Sequence, residues 1–288
     1  MAPGTVAEPM REPRRWSMDR WYEQNSLWRT SQPAPGEAEM TPSRVEAYSG
    51  HHWVVTYTVG ERPLGAGSHV AVEVPSGWEP HLGRPLREGR QVLVAAGELN
   101  PGYAPWARAE ADSGAEVALA VSHCIRFQVV DVVVTEGCLE AGSRLRVYLG
   151  TEDASRLRCP WFAQRSVLAM GIDFEGDGRY LPVIPPPAVN VGGAPATALR
   201  VVAPATVEPG EQFTAYVQRL DQYGNPASGY GGTAGVVGSG PLADAANQAD
   251  FGTDGEPEVA LPVRAGSQAG AAHLRVFDSS RALAGTSN

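Results

Sequence analysis

The residue types that could do chemistry in this 288-residue chain are few and scattered. Its three cysteines, Cys124, Cys138 and Cys159, stand 14 and 21 residues apart with no C-x-x-C pair, and the odd number leaves one thiol outside any disulfide scheme. Reduced, partly buried thiols in a cytoplasmic protein are the expectation. His123 beside Cys124 has the composition of a nucleophile and base, but neighbours on a strand project to opposite faces, so an inert buried thiol is the simpler reading. The same alternation keeps adjacent His51 and His52 from ligating one metal on a strand surface. His52, His69 and His273 fall on the polar phase of their strands and are expected at the surface, and His81 lies in a loop without a partner nearby. All 23 basic residues are Arg, which rules out a Schiff-base lysine or a phosphate-binding lysine. The signatures G-x-S-x-G, H-E-x-x-H, G-x-x-x-x-G-K and G-x-G-x-x-G are absent.

Two weaker patterns remain. Asp173-x-Glu175-x-Asp177-Gly178 has the alternating acidic residues and the glycine of an opening calcium loop. Ile184 stands where such a loop needs its bidentate glutamate, so a polar hairpin turn is the better reading, and no metal or other cofactor is expected. Trp78, Trp106 and Trp161 lie in turn-rich segments beside Pro80, Pro105 and Pro160 and are the candidates for an exposed binding surface. Tryptophan is enriched at interaction sites, although loop tryptophans also plug the ends of β-sandwiches.

The elements that would position these residues are strands. Trp53, Val55, Tyr57 and Val59 share one face while Thr56 and Thr58 share the other, which is the period of a strand with one buried side. The pattern recurs in Val70, Val72 and Val74, in Val92 and Val94, in Val117, Leu119 and Val121, in Leu145, Val147 and Leu149, and in Leu168, Met170, Ile172 and Phe174. Between Ile125 and Thr135 both phases are apolar, as in a strand buried on both faces or one carrying a β-bulge. Gly60, Pro75-Ser76-Gly77, Asn100-Pro101-Gly102, Glu136-Gly137, Ala141-Gly142-Ser143 and Gly176-Asp177-Gly178 supply turns between the runs. Pro185-Pro186-Pro187 introduces a last short strand from Ala188, and Gly192-Gly193-Ala194-Pro195 marks a boundary.

A shorter set follows: Leu199 and Val201; Phe213, Ala215 and Val217; Val259, Leu261 and Val263; Leu274 and Val276. The fold class is therefore all-β: two tandem, immunoglobulin-like β-sandwiches over residues 36–192 and 193–288, with the strands between 227 and 257 the hardest to place. Residues 1–35 form an N-terminal extension. In it Met18, Trp21, Asn25 and Trp28 fall at helical spacings, so it is either largely disordered or a short helix laying indoles on a domain.

Composition narrows the function. A formal charge of −9 argues against a phosphate-backbone partner, so no nucleic acid is expected. Residues 1–35 hold no apolar run of secretory type and no stretch reaches the roughly 18 apolar residues of a membrane span, so no membrane partner is expected.

The run Glu46-Ala47-Tyr48-Ser49-Gly50-His51-His52-Trp53-Val54-Val55-Thr56-Tyr57-Thr58-Val59-Gly60 resembles the start of a bacterial family of unknown function. Its members open with β-sandwich domains and continue into a PHP-type metal-dependent phosphoesterase-like domain. Val132 to Gly137 with Gly142 to Gly150, Asp177 to Pro182, and Ala203 to Gly210 with Asp221 to Pro226 follow in family order, so the resemblance spans roughly residues 37–288. It implies that the metal ligands lie in a C-terminal domain beginning about where this chain stops, so no catalytic or metal-binding residue carries over to it. The expectation is a non-catalytic accessory region of a metal-dependent hydrolase, positioning a substrate, a partner or that C-terminal hydrolase domain. The alternative is a free-standing carbohydrate- or surface-binding module that uses loop aromatics.

Overall fold

A computed structural model describes residues 12–28, 31–79, 92–94, 107–124, 127–150, 156–229, 231–252 and 256–287. Two compact units divide the chain: Met1–Pro160 with Arg165–Asn190, and Trp161–Gln164 with Val191–Asn288. Ten principal strands build the first unit: β1 Gly36–Thr41, β2 Trp53–Val59, β3 His69–Pro75, β4 Val92–Val94, β5 Ala107–Ala111, β6 Glu116–Cys124, β7 Phe127–Glu136, β8 Arg144–Leu149, β9 Met170–Asp173 and β10 Leu181–Pro182. They form a four-stranded sheet in the order β1-β2-β8-β5 and a six-stranded sheet in the order β10-β9-β3-β7-β6-β4. In β2 the alternation holds: Trp53, Val55, Tyr57 and Val59 are buried, and the residues between them are half-exposed.

The six-stranded sheet is buried on both sides, which explains the doubly apolar run in β7. Register sets its two faces. Val130 and Val132 of β7 lie opposite Val72 and Val70 of β3 and opposite Val121 and Leu119 of β6, giving an apolar face turned to the sandwich interior. The other face carries Phe127, Val129 and Asp131, with His69, Ala71 and Glu73 on β3, Ala120 and Ser122 on β6, and Gly171 and Asp173 on β9. β7 also carries a register shift between Val134 and Glu136, so both features expected of this run occur in it. Its starting residue Ile125 lies outside the described residues.

What covers that second face is the N-terminal extension. Helix α1, Met18–Trp28, starts where the Ser17 hydroxyl accepts the Arg20 N–H at 3.2 Å, an N-cap contact. An isolated helix of 11 residues is marginal in water, so its order comes from docking. Trp16 and Trp21 are 6% and 2% exposed and pack with Phe127, Val129, Ala71 and Tyr180. The short-helix expectation therefore describes residues 18–28, and these belong to the first unit.

Among the described residues, eight principal strands build the second unit: β11 Ala198–Val202, β12 Gln212–Leu220, β13 Thr233–Ser239, β14 Leu242–Ala245, β15 Gln248–Asp250, β16 Glu258–Ala265, β17 His273–Asp278 and β18 Leu283–Thr286. Two four-stranded sheets, β11-β12-β16-β14 and β15-β13-β17-β18, enclose one core. Leu199, Val201, Ala215, Val217, Leu261, Val263, Leu274 and Val276 are in it, as their spacing predicts. Ala234, Val236, Ala249 and Phe251 join them from the Gly- and Ala-rich stretch. There alanine shares the core side with Val236 and Phe251, which leaves little hydrophobic contrast to read.

Candidate functional site

Among the described residues, four places bring chemically capable groups together. The largest is the covered face of the six-stranded sheet. Asp131, fully buried on β7, accepts the Arg14 N–H at 2.6 Å, the Tyr180 hydroxyl at 2.8 Å and the Trp16 indole N–H at 3.4 Å, and lies 2.9 Å from His69 Nδ1. Arg14 places its guanidinium between the Asp173 carboxylate and the Gly176 carbonyl. Ser122 accepts the Trp16 N–H at 3.0 Å. Burial and the neighbouring Asp131 push the Tyr180 phenol well above its ordinary value, so it stays protonated and donates.

This corrects the expectation for His69. Its strand position faces away from the sandwich interior, on the face that the N-terminal segment covers, and it is fully buried there beside Asp131. The calcium-like motif is a turn. Asp173 accepts the backbone N–H groups of Glu175, Gly176 and Gly178 at 3.2, 2.9 and 2.8 Å, so its oxygens face amides and Arg14. Among the described residues no group of three or more His, Cys, Asp or Glu is arranged to hold a metal ion.

A second constellation escaped sequence reasoning because its members are far apart in the chain. His51 Nε2 lies 2.9 Å from the Ser49 hydroxyl, and the Cys159 sulfur lies 3.8 Å from the same oxygen. The chemistry is inert: Ser49 donates to the Glu46 carbonyl at 2.5 Å, and the Cys159 thiol is turned to that same carbonyl at 3.2 Å. Burial pushes the Cys159 thiol up, against several weaker hydrogen bonds, so the thiolate a nucleophile requires is disfavoured. Burial and the Arg156 charge hold the His51 imidazole below its ordinary value. The side chains of His123 and Cys124 lie outside the described residues.

The third place is aromatic. Of the three tryptophans singled out by sequence, Trp78 is fully buried, its indole N–H donating to Ser166 at 3.0 Å and its ring 4.7 Å from that of Trp53. It plugs the sandwich and presents no face to a ligand, which removes it from the surface candidates. Trp106 lies outside the described residues. Trp161 is 54% exposed and stands beside Phe162, 51% exposed, with ring centroids 6.2 Å apart and planes inclined by 58°.

The backbone beneath this pair is held. Asn225 accepts the Ala163 N–H at 2.8 Å and donates to the Trp161 carbonyl at 2.7 Å. Asn225 is itself fixed by Asp221, which accepts its backbone N–H at 2.9 Å and its side-chain amide at 2.8 Å. Burial opposes ionisation of Asp221, but the Asn225 amide and the N–H groups of Ala194, Asn225 and Tyr223 outweigh it and hold the carboxyl below its ordinary value. Asp221-Gln222-Tyr223-Gly224-Asn225-Pro226 reads as a tight turn in sequence, whereas its grip on residues 161–163 is tertiary.

The fourth is a cleft of about 390 Å³ at one end of the second unit, lined by Thr206, Phe213, Leu242, Gln268 and His273 among mostly small residues. Thr206, Gln268, His273 and Ser287 supply the polar side chains of its lining, and the rest are apolar or glycine.

The fold and these sites define an all-β protein made of two β-sandwich units. No protein-family model matches the sequence, and no curated protein does. Solved structures similar to the chain include red sea bream transglutaminase, at 13% identity over 92% of this chain and with a TM-score of 0.24. The chain spans 33% of that protein. FdeC, an Escherichia coli adhesin, is 14% identical over 86% of this chain and 92% of its own, with a TM-score of 0.22. The type II cohesin dyad from the adaptor ScaA scaffoldin of Acetivibrio cellulolyticus is 9% identical over 81% of this chain and 78% of its own, with a TM-score of 0.26. At such scores none of the three carries an argument about this chain. No helix among the described residues is long and apolar enough to cross a membrane.

Proposed function

We propose that this chain is a non-catalytic tandem β-sandwich region that works by binding, with the Trp161-Phe162 loop as its contact point for a protein partner. The observation that carries this is the pair of half-exposed aromatic rings on backbone anchored by Asn225. A backbone pre-ordered in this way loses little entropy on binding, and the aromatic pair it carries has the side-chain chemistry of an interface hot spot. Rings inclined by 58° do not form the flat platform on which a sugar face stacks, so a pocket on a protein fits them better than a glycan. The family resemblance adds a finer reading: the partner is the PHP-type hydrolase domain, and the sandwiches are its accessory region.

Two measurements test this. Reading the coding DNA beyond codon 288 is expected to show the hydrolase frame, and an immediate natural stop would overturn the accessory reading. Titrating the chain with that separately purified domain is expected to show binding that the Trp161→Ala/Phe162→Ala double variant loses at least tenfold, with unchanged thermal unfolding. Equal binding by the variant, or binding to a glycan array instead, would overturn the protein-contact reading.

A further inference from the structure

The N-terminal segment is held as a ligand is held. Its polar contacts run mostly through side chains: Asp131 and Ser122 accept the main-chain N–H groups of Arg14 and Trp16, and the Asp173 carboxylate, with the Gly176 main-chain carbonyl, accepts the Arg14 guanidinium. Trp16 meets the Tyr180 ring at 4.9 Å, Trp21 meets Phe127 at 5.8 Å, and Gln24 accepts the Tyr180 N–H at 3.3 Å. None of these is a rung of the strand ladder.

The seat also keeps its own polar partners when the segment is subtracted. Asp173 retains three turn amides, and Asp131 retains Tyr180 and His69. Two acidic groups buried beneath the segment, each with hydrogen bonds that do not involve it, have the makings of a preformed receptor for a cation and an indole. The planar guanidinium reaches a carboxylate and a carbonyl at once, a geometry that Lys does not reproduce. The segment occupies residues 14–24, and only the stretch between Trp28 and Gly36 joins it to β1.

We propose that the outer face of the six-stranded sheet is a peptide-binding site for an Arg-x-Trp sequence that continues into a helix with a second tryptophan five residues on, and that the chain's own Arg14, Trp16 and Trp21 are its tethered occupant. A tether this short supplies an effective concentration in the millimolar range, so the resident segment excludes competitors while it remains joined. Severing the tether turns the seat into an open receptor. This site is independent of the Trp161 loop.

The test uses the full chain with a protease recognition sequence inserted after Gln32, an exposed position, cut after purification. The probe is a fluorescent synthetic peptide of residues 12–28. The cut chain is expected to take up one peptide per molecule, with release of the native segment seen by mass spectrometry, while the uncut chain takes up none. Peptides carrying Arg14→Ala or Trp16→Ala are expected to compete at least about 30-fold more weakly, the effect of leaving a buried charge or a buried acceptor without its partner. A cut chain that stays folded but never exchanges its segment would overturn the proposal. So would unfolding when the segment leaves, because the segment would then be core, and so would equal competition by the Arg14→Ala peptide.

Discussion

The two units bury their sheets differently. In the second, the central strands spend one face on the core and one on water: β16 alternates Val259, Leu261 and Val263 inward with Glu258, Ala260 and Pro262 outward. In the first, β7 is buried at eight consecutive positions, because a helix and its leader cover the face that would otherwise be wet. An antiparallel sheet with a solvated side advertises it by alternation, and the loss of alternation in β7 is the trace of a cover supplied from elsewhere in the chain. The cover also changes the chemistry beneath it, since a covered sheet can hold Asp131 and Asp173 fully buried, provided each is met by donors.

The widest gap between the two regions is expected at Asp131. Asp131→Ala leaves the Arg14 main-chain N–H, the Trp16 indole N–H and the Tyr180 hydroxyl without their acceptor and should destabilise the first unit by about 3–5 kcal/mol in urea unfolding. Tyr216→Ala, on the outer face of β12, should change the second unit by about 0.5 kcal/mol. Comparable costs at the two positions would erase the distinction.

Trp21→Ala is expected next, at about 3 kcal/mol, for emptying the space between the helix and Phe127. The aromatic on the second unit's wet face should matter less. Phe277 lies over Gly235, whose added Cβ would sit 2.8 Å from the ring, so the ring shields a strand glycine. Phe277→Ala should cost about 1 kcal/mol, and a loss as large as that of Trp21→Ala would show that this face is also structural.

The smallest effect is a difference in pH response. Burial pushes the Glu73 carboxyl up, opposed by a hydrogen bond from Trp21, so its contribution is complete below the ordinary carboxylate range and is lost as pH rises through the raised value. Asp221 has the opposite sign: its carboxyl is held down, and its contribution is lost as pH falls below the ordinary range. Glu73→Gln should therefore gain on the wild type only toward neutral pH, and Asp221→Asn should fall behind it only above the acid range. Thermal unfolding across that range reads both.

Much of the fold was legible because period-two alternation and turn residues are local properties. Trp53 to Val59 and Leu145 to Leu149 announce which side is wet, and each is placed accordingly. The site was less legible. His69 reads as a surface residue because its strand position is polar, yet it is fully buried and meets Asp131, a residue 62 positions later in the chain. Trp78 and Trp161 have nearly the same local signature, a tryptophan beside proline in a turn, yet one is plugged and the other projects. That difference belongs to tertiary partners, Ser166 and Trp53 for the first and Asn225 for the second.

The long reach of Arg14 has a consequence for how the protein is made. Its acceptors, Asp173 and Gly176, lie 159 and 162 residues later in the chain. At ribosomal rates of about 5–20 residues per second, the segment waits about 8–30 s before its seat has been translated. Through that interval an arginine and two tryptophans destined for burial are open to any receptor with acidic and aromatic groups. Nascent chains halted before residue 173 are therefore expected to be captured by chaperones through residues 14–24, and chains halted well beyond residue 180 to escape them.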